Sequence, residues 1–263
     1  MRVISLGSSS AGNCYLISDR AGLLMIECGF PYKWLAGQMR EKGFSFSQLS
    51  GVLISHEHRD HARCWAELVG CGLRVYASHG TIEALGKENR ELAGQLIPLA
   101  PEAGEDISGP VTAGAFDVLA FRTFHDAAEP VGFLIRSRET GEKLVFATDT
   151  VNLRYRFPGI RQMMLEANYA RELLDRNQRL PETVVKRIRN SHMELGRLCG
   201  YLRGLDLSSC REIYLMHLSD SSSDEFLFHR AVKAAVPDGV AVYILPKGGP
   251  KKVKTRERKG KTC

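Results

Sequence analysis

Residues 56–61 hold four potential metal ligands in the pattern His-x-His-x-Asp-His. Side chains two residues apart in an extended segment point the same way, so His56 and His58 can bind one ion together. The chain then turns, which directs Asp60 and His61 to a different side. Imidazole and carboxylate ligands suit zinc, and they also accept manganese or iron. One short loop can therefore serve two neighbouring divalent ions, and the density of ligands argues against an ordinary solvated turn.

The sequence on either side of this loop predicts how it is held. Residues 51–54 are an apolar run bounded by a glycine, a pattern that indicates a buried strand. Residues 62–69 follow with the pattern of a helix start. We therefore expect the ligands on a turn between a strand and a helix, where a rigid scaffold presents functional side chains at its edge.

Three more predicted strands lead to a histidine or an aspartate. His125 comes after a strand that ends at residue 121, Asp149 after a strand that ends at residue 147, and His217 ends a strand itself. Ligands at the ends of several strands would converge at one edge of a sheet sandwich. The sequence thus groups these three residues with the loop at 56–61.

The remaining pattern is typical of a single α/β (α+β) domain. Short apolar runs predict an antiparallel meander at 3–6, 14–17 and 23–27. Helical patterns follow at 31–42, at 169–190 with a helix start signal at Pro181, at 192–205 and at 223–236. Because no repeat or linker interrupts this alternation, we predict one domain over residues 1–246 and a separate tail over residues 247–263.

Composition limits the class of protein. The 263 residues are 44% hydrophobic and 25% charged, as in ordinary globular proteins. No window approaches the roughly 18 to 20 apolar residues of a membrane span, and the N-terminus does not resemble a signal peptide. Seven scattered cysteines without a Cys-x-x-Cys pair argue against a disulfide framework. We expect a cytoplasmic protein with no membrane partner.

The net charge of +6 is unevenly distributed along the chain. Residues 247–263 carry eight Lys or Arg and one Glu, a net +7, which leaves −1 for the rest. A segment rich in Gly, Lys and Arg cannot bury a core, so we predict that this tail is disordered. Such a tail attracts phosphate backbones through counterion release, which makes Lys251 and Lys252 candidate substrate contacts. The alternative is a tail that only keeps the protein in solution.

The predicted ligands, taken in order, resemble the signature of the metallo-β-lactamase superfamily: the loop at 56–61, then His125, Asp149 and His217. The resemblance covers residues 3–246 and implies an αββα sandwich, two mixed β-sheets flanked by helices. Three segments are similar to the small YycJ/WalJ-type hydrolases, which are thought to be DNA exonucleases: 5–15, 125–133 and 216–219. Three other places depart from that subfamily: Val151, 192–195 and 220–223.

The resemblance also implies a role for each ligand. Two divalent ions would be bound, most readily zinc, one by His56, His58 and His125, the other by Asp60, His61 and His217, with Asp149 bridging both. A hydroxide held between the ions would be the nucleophile, since metal binding lowers the pKa of water toward about 7. Asp60 is thereby expected to serve catalysis as well. His192 would donate a proton to the leaving oxygen or bind phosphate; the alternative is a surface histidine at a helix start.

The polar turn before residue 14 offers hydroxyl and backbone N–H groups that could cradle a phosphate, with four candidate residues: Ser8, Ser9, Ser10 and Asn13. The alternative is a tight hairpin turn with no role in binding. Glu166 follows an apolar strand and could orient a ligand histidine, or it could cap a helix.

Three functions remain open from the sequence. The first is a two-metal nuclease or phosphodiesterase acting on DNA in the manner of an exonuclease. The second is a small-molecule metallohydrolase that cleaves a cyclic phosphodiester, a thioester or a lactone and would not need the basic tail. The third is a nucleic-acid-binding protein with a relic site, against which the complete ligand set speaks. The sequence leaves the metal, the choice between DNA and RNA, and the oligomeric state open.

Overall fold

A computed structural model describes residues 1–249 of the chain. Within this range the chain forms two mixed sheets and nine α-helices. The first sheet has six strands in chain order: β1 (Arg2–Ser9), β2 (Gly12–Ser18), β3 (Leu23–Ile26), β4 (Leu49–Leu53), β5 (Val75–Ala77) and β6 (Ile97–Pro98). The second has seven: β7 (Val111–Ala113), β8 (Phe116–Arg122), β9 (Val131–Ser137), β10 (Lys143–Ala147), β11 (Gln162–Glu166), β12 (Glu212–Met216) and β13 (Ala241–Ile244).

Each sheet changes from antiparallel to parallel pairing along its width. Strands β1 to β3 pair antiparallel, and β3 to β6 pair parallel. In the second sheet β7 to β10 pair antiparallel, and β10 to β13 pair parallel. Parallel neighbours need long crossover connections, which helices usually provide. The helices lie in these connections: α1 (Tyr32–Glu41), α2 (Arg59–Ala62), α3 (Trp65–Gly70), α4 (His79–Gly86), α5 (Arg90–Ala93), α6 (Arg171–Arg176), α7 (Glu182–Ser191), α8 (Leu195–Arg203) and α9 (Glu225–Lys233).

Three hydrophobic cores hold the two sheets and the helices together in layers. Side chains alternate across a strand, so β2 directs Cys14 and Leu16 to one face and Tyr15 and Ile17 to the other. The first pair packs in a core that includes Leu35 of α1 and residues of α3, and the second pair packs between the sheets. A third core joins the outer face of the second sheet to α8 and α9. The predicted αββα sandwich of two mixed sheets flanked by helices is confirmed.

Residues 169–190, predicted to be largely helical with a start signal at Pro181, form two shorter helices. Helix α6 ends at Arg176, and α7 begins at Glu182, directly after Pro181. Proline has no N–H to donate within a helix but is tolerated where a helix starts. The helix predicted from residue 192 begins at Leu195, because the Glu194 side chain caps it by accepting hydrogen bonds from two backbone N–H groups.

The described residues include the first part of the predicted tail. The Ser8 N–H donates to the Lys247 carbonyl at 2.9 Å, and Gly7 forms an isolated bridge with Gly248. The rest of the tail, including Lys251 and Lys252, lies outside the described residues. No helix in residues 1–249 is both long enough and apolar enough to cross a membrane.

Candidate metal centre

All seven predicted ligands lie at one edge of the sandwich. The loop at 56–61 follows the carboxyl end of β4, Asp149 follows β10, and His217 follows β12. His125 follows β8, which is antiparallel to its neighbour β9. The segments that follow four strands distant in sequence therefore meet at the same place. The side chains form two adjacent clusters.

The first cluster contains three histidines from two loops. His58 Nδ1 lies 3.1 Å from His56 Nε2 and 3.2 Å from His125 Nε2. One oxygen of Asp149, Oδ2, lies 3.5 Å from His125 Nε2. The same three ring nitrogens are the ones a single ion would have to contact.

The second cluster contains two histidines and one aspartate. Asp60 Oδ2 lies 3.3 Å from His61 Nε2 and 3.5 Å from His217 Nε2. The other oxygen of Asp149, Oδ1, lies 3.5 Å from His61 Nε2 and 2.9 Å from His217 Nδ1. Asp149 thus directs one oxygen to each cluster, which is the arrangement that a bridging carboxylate requires.

The histidines of the first cluster are held as metal ligands usually are. His125 Nδ1 donates to the Ser191 carbonyl at 2.7 Å, which leaves its Nε2 lone pair directed at the cluster. The Ser55 hydroxyl lies 2.9 Å from His56 Nδ1 and fixes the other side of that ring. Burial, with help from the neighbouring His61 ring, holds the pKa of His56 well below its usual value. The neutral imidazole is the form that binds metal.

The second cluster has the charge that a cation would balance. Burial would raise the pKa of Asp149, but the His217 and His61 rings outweigh it and hold that pKa well below the usual range. Among residues 1–249, His217 Nε2 and His61 Nδ1 are buried ring nitrogens with no hydrogen-bond partner. The site thus offers converging imidazole nitrogens, buried carboxylates and ring nitrogens without a partner. This set of donors suits divalent metal ions.

The backbone is strained where it delivers these side chains. In the described range, three non-glycine residues have positive φ: Glu27 at 65°, Asp149 at 41° and His217 at 56°. Each follows directly or within two residues of a strand end. Such conformations cost about 1–3 kcal/mol each and persist where the surrounding structure enforces them, commonly at functional sites.

His192 lies at the centre's border and is bonded to Glu166. Its Nδ1 is 2.6 Å from Glu166 Oε1 and 3.9 Å from Asp149 Oδ2. Burial alone would lower the pKa of His192, but the Glu166 carboxylate outweighs it and raises that pKa. Glu166 Oε1 also lies 3.3 Å from His217 Nδ1. The structure thus brings both residues to the site, with Glu166 as a partner of two ring nitrogens.

The turn before residue 14 supports the ligands, and most of its polar groups are already bonded. The Ser8 hydroxyl accepts from the His217 N–H at 2.9 Å and lies 2.7 Å from the Tyr15 hydroxyl. The Asn13 amide donates to the Ser9 carbonyl and lies 3.2 Å from His61 Nε2. Ser8, Ser9 and Asn13 are buried, and Ser10 is exposed, so the predicted phosphate cradle stays a prediction and these contacts favour a supporting role for the three buried residues.

Sequence reasoning did not identify Glu27 as a residue of the site. This glutamate is fully buried, and its Oε1 lies 3.6 Å from His61 Nδ1. Burial raises its pKa, although the His61 ring opposes the shift. In the sequence, Glu27 ends the apolar run of residues 23–26, just as Glu166 ends the apolar run of residues 163–165. A glutamate at the end of an apolar run was therefore the available signal.

Comparison with known proteins shows the family of this chain. A family model described as the beta-lactamase superfamily domain matches residues 24–218, more than half of the chain. Exodeoxyribonuclease YycJ of Bacillus anthracis is 28% identical over 224 residues, 81% of each protein. Exodeoxyribonuclease WalJ of Streptococcus pneumoniae is 27% identical over 232 residues, 85% of this chain and 84% of the relative.

A solved structure with the same fold is Zn²⁺-bound PqqB from Methylobacterium extorquens, with a TM-score of 0.69 at 15% identity, covering 94% of this chain and 98% of that one. The chain belongs to the metallo-β-lactamase superfamily, as its fold, its ordered ligands and the family match all indicate. Within that superfamily it is a hydrolase-fold protein similar to YycJ and WalJ.

Proposed function

We propose that the protein is a metal-dependent phosphodiesterase that degrades DNA as an exonuclease. The observation that carries the proposal is the position of Asp149, with one carboxylate oxygen directed at each of two histidine clusters. That arrangement suits a pair of ions, and a pair of ions suits phosphoryl transfer. The two curated relatives, both named exodeoxyribonucleases, support DNA as the substrate class.

The proposal assigns two divalent ions, zinc in the first place, to the two clusters. One ion would be held by His56, His58 and His125, and the other ion by Asp60, His61 and His217. Asp149 would contact both ions. When bound, such ions supply positive charge for a developing oxyanion and lower the pKa of water toward about 7. Ligands of this type also accept manganese and iron, so the metal is part of what the experiment must determine.

His192 is the proposed proton donor to the leaving oxygen. Because its Nδ1 is held by Glu166 Oε1 at 2.6 Å, the ring orientation is fixed and Nε2 is the atom that carries the transferable proton. Glu166 is itself held by the backbone N–H groups of Thr150 and Met193, at 2.8 and 3.1 Å. A rigid acid beside the ligand clusters suits the expulsion of a nucleoside alkoxide, which is a poor leaving group.

The basic tail supports a polyanionic substrate. Lys247 is fixed beside the site, because its carbonyl accepts from Ser8 N–H while the Ser8 hydroxyl accepts from His217 N–H. The seven remaining Lys and Arg of the tail follow within the next 14 residues. A small-molecule hydrolase would gain nothing from a basic sequence that follows Lys247, whereas a nuclease would gain phosphate contacts.

The test is cleavage of 5′- and 3′-labelled single- and double-stranded DNA by the full chain, after chelation and addition of Zn²⁺ or Mn²⁺. We expect metal-dependent release of label that is lost in Asp60→Ala. The control is Asp238→Ala, since Asp238 is an exposed aspartate just before β13, away from the carboxyl ends of the strands. Activity confined to bis(p-nitrophenyl) phosphate or a thioester, or full DNA cleavage by Asp60→Ala, would refute the proposal.

A further inference from the structure

A pocket rich in arginine lies beside the metal centre and is used by none of the steps above. Its volume is about 390 Å³, and six residues line it, hereafter the arginine pocket: Tyr169, Arg171, Asp175, Arg189, Asn190 and Arg197. The residues come from α6, α7, α8 and the segment that follows β11. Three guanidinium groups and one carboxylate thus surround a space that could hold a phosphate with part of its sugar.

Hydrogen bonds and neighbouring residues link the arginine pocket to the metal centre. Asn190 is two residues before His192, and Ser191 between them accepts the hydrogen bond of the ligand His125. The Arg197 guanidinium donates to the Val151 carbonyl at 3.1 Å, two residues after Asp149. A strand of nucleic acid with one phosphate at the ligands would therefore extend toward the pocket through neighbouring positions of the chain.

Two of the three arginines carry charge that no acid balances. Among residues 1–249, Arg171 and Arg197 have no carboxylate within 4.0 Å, whereas Arg189 pairs with Asp175. In that same range the Tyr169 hydroxyl and the Asn190 side chain form no hydrogen bond. Burial and Glu194 raise the pKa of Tyr169, and Arg197, Arg171 and Arg189 oppose them, as expected of three guanidinium groups around one hydroxyl.

The arginine pocket is part of a wider charge asymmetry. Residues 150–205 contain eleven Lys or Arg and five Asp or Glu, a net +6. Since residues 1–246 together carry −1, the rest of that range carries −7. The positive charge of the body is therefore concentrated in residues 150–205, which include α6, α7 and α8, while the remainder would repel a polyanion.

We propose that the arginine pocket binds a phosphate group of the nucleic-acid strand other than the one that is cleaved. This inference rests on the proposed function, because it takes DNA as the ligand. Guanidinium groups present paired donors that match phosphate oxygens, and a hydroxyl and an amide without protein partners can add further hydrogen bonds. The pocket thereby gives the enzyme a second anchor on the strand and a preference for polymers over single phosphodiesters.

The experiment measures binding of a fluorescent single-stranded oligonucleotide to the full chain in chelator, where cleavage cannot occur, over a series of salt concentrations. Variants Arg171→Gln and Arg197→Gln each remove one charge from the pocket. We expect each to weaken binding roughly three- to tenfold and to reduce the salt dependence by about one phosphate contact. Arg171→Lys keeps the charge and should retain most of the affinity.

The matched control is Arg20→Gln, because Arg20 is an exposed arginine in the turn between β2 and β3, at the end of the sheet opposite the ligands. It removes the same charge and should change neither affinity nor salt dependence. Wild-type affinity in Arg171→Gln and Arg197→Gln, or an equal loss in Arg20→Gln, would overturn the inference.

The outcome also separates this inference from the proposed function. If the wild type cleaves labelled DNA but the pocket variants bind it normally, the pocket assignment fails and the nuclease stands. If DNA binds through the pocket but is never cleaved with any metal, the pocket stands and the nuclease fails. If DNA is neither bound nor cleaved, both fail.

Discussion

Replacing Glu166 by glutamine should destabilise the protein, although it only exchanges one carboxylate oxygen for an NH₂ group. Glu166 is 1% exposed, and each of its oxygens faces two nitrogen donors. Oε1 faces His192 Nδ1 and His217 Nδ1, at 2.6 and 3.3 Å, and Oε2 faces the N–H groups of Thr150 and Met193, at 2.8 and 3.1 Å. A carboxamide must therefore turn its NH₂ toward one of these two pairs.

The expected loss of stability arises because the NH₂ of glutamine donates hydrogen bonds and cannot accept one from either pair. Backbone N–H groups cannot change role. Burial lowers the pKa of His217, but Asp149 outweighs it and holds that pKa well above its usual value, so Nδ1 of this ring keeps its proton and the NH₂ faces a donor in either orientation. An unsatisfied buried group costs about 1–3 kcal/mol, and we expect a loss of that size in the free energy of unfolding. For a chain of this length that corresponds to a fall in Tm of about 2–12 °C.

The assay is thermal unfolding followed by circular dichroism in chelator, so that altered metal affinity does not contribute. The matched control is Glu129→Gln, because Glu129 is partly exposed and accepts from Gly80 N–H at 2.8 Å through one oxygen only. Its carboxamide can keep that bond, and Tm should change little. Equal Tm values for the two variants would refute the argument that four donors fix Glu166 as a carboxylate.

Two further predictions concern packing and metal. Gly29→Ala would place a Cβ 1.7 Å from the Asp60 carbonyl oxygen, so denaturant unfolding should show a loss of about 1–3 kcal/mol or more in the free energy of unfolding. The control is Gly37→Ala on α1, which should be stabilising because no atom lies within 4 Å of the added Cβ. Zn²⁺ at 100 times its Kd should stabilise the chelated protein by about 2.7 kcal/mol, measured as a rise in Tm. That rise should persist in His229→Ala, an exposed histidine on α9, and shrink in His125→Ala; equal rises would contradict the assigned ligands.

The seven candidate ligands could be grouped from the sequence because that information is local. The spacing of His56 and His58 and the apolar runs before Asp149 and His217 are visible within a few residues. The layers were predictable for the same reason, since strands with alternating faces and amphipathic helices leave periodic patterns. The start of α7 was marked by Pro181, whereas the end of α6 at Arg176 was not predicted, because the residues on either side of it still have helical propensity.

The supporting contacts could not be predicted because they join residues distant in the chain. Ser8 bonds to His217 across 209 residues, and no spacing rule connects them. Serine in a polar turn equally suits a phosphate cradle or a hairpin, and only the fold shows that the hydroxyl is already used. The arginine pocket has the same origin, because its residues belong to three helices and the segment after β11, whose packing the sequence does not reveal.

The positive φ angles of Glu27, Asp149 and His217 set stability against activity at three positions. Glycine adopts this backbone region without the steric cost that other residues carry. A screen for thermostable variants should therefore favour glycine at each of these positions and return proteins that fold better but lack a carboxylate or an imidazole. Stability and function would select different residues there, so engineering for robustness has to leave these three positions fixed.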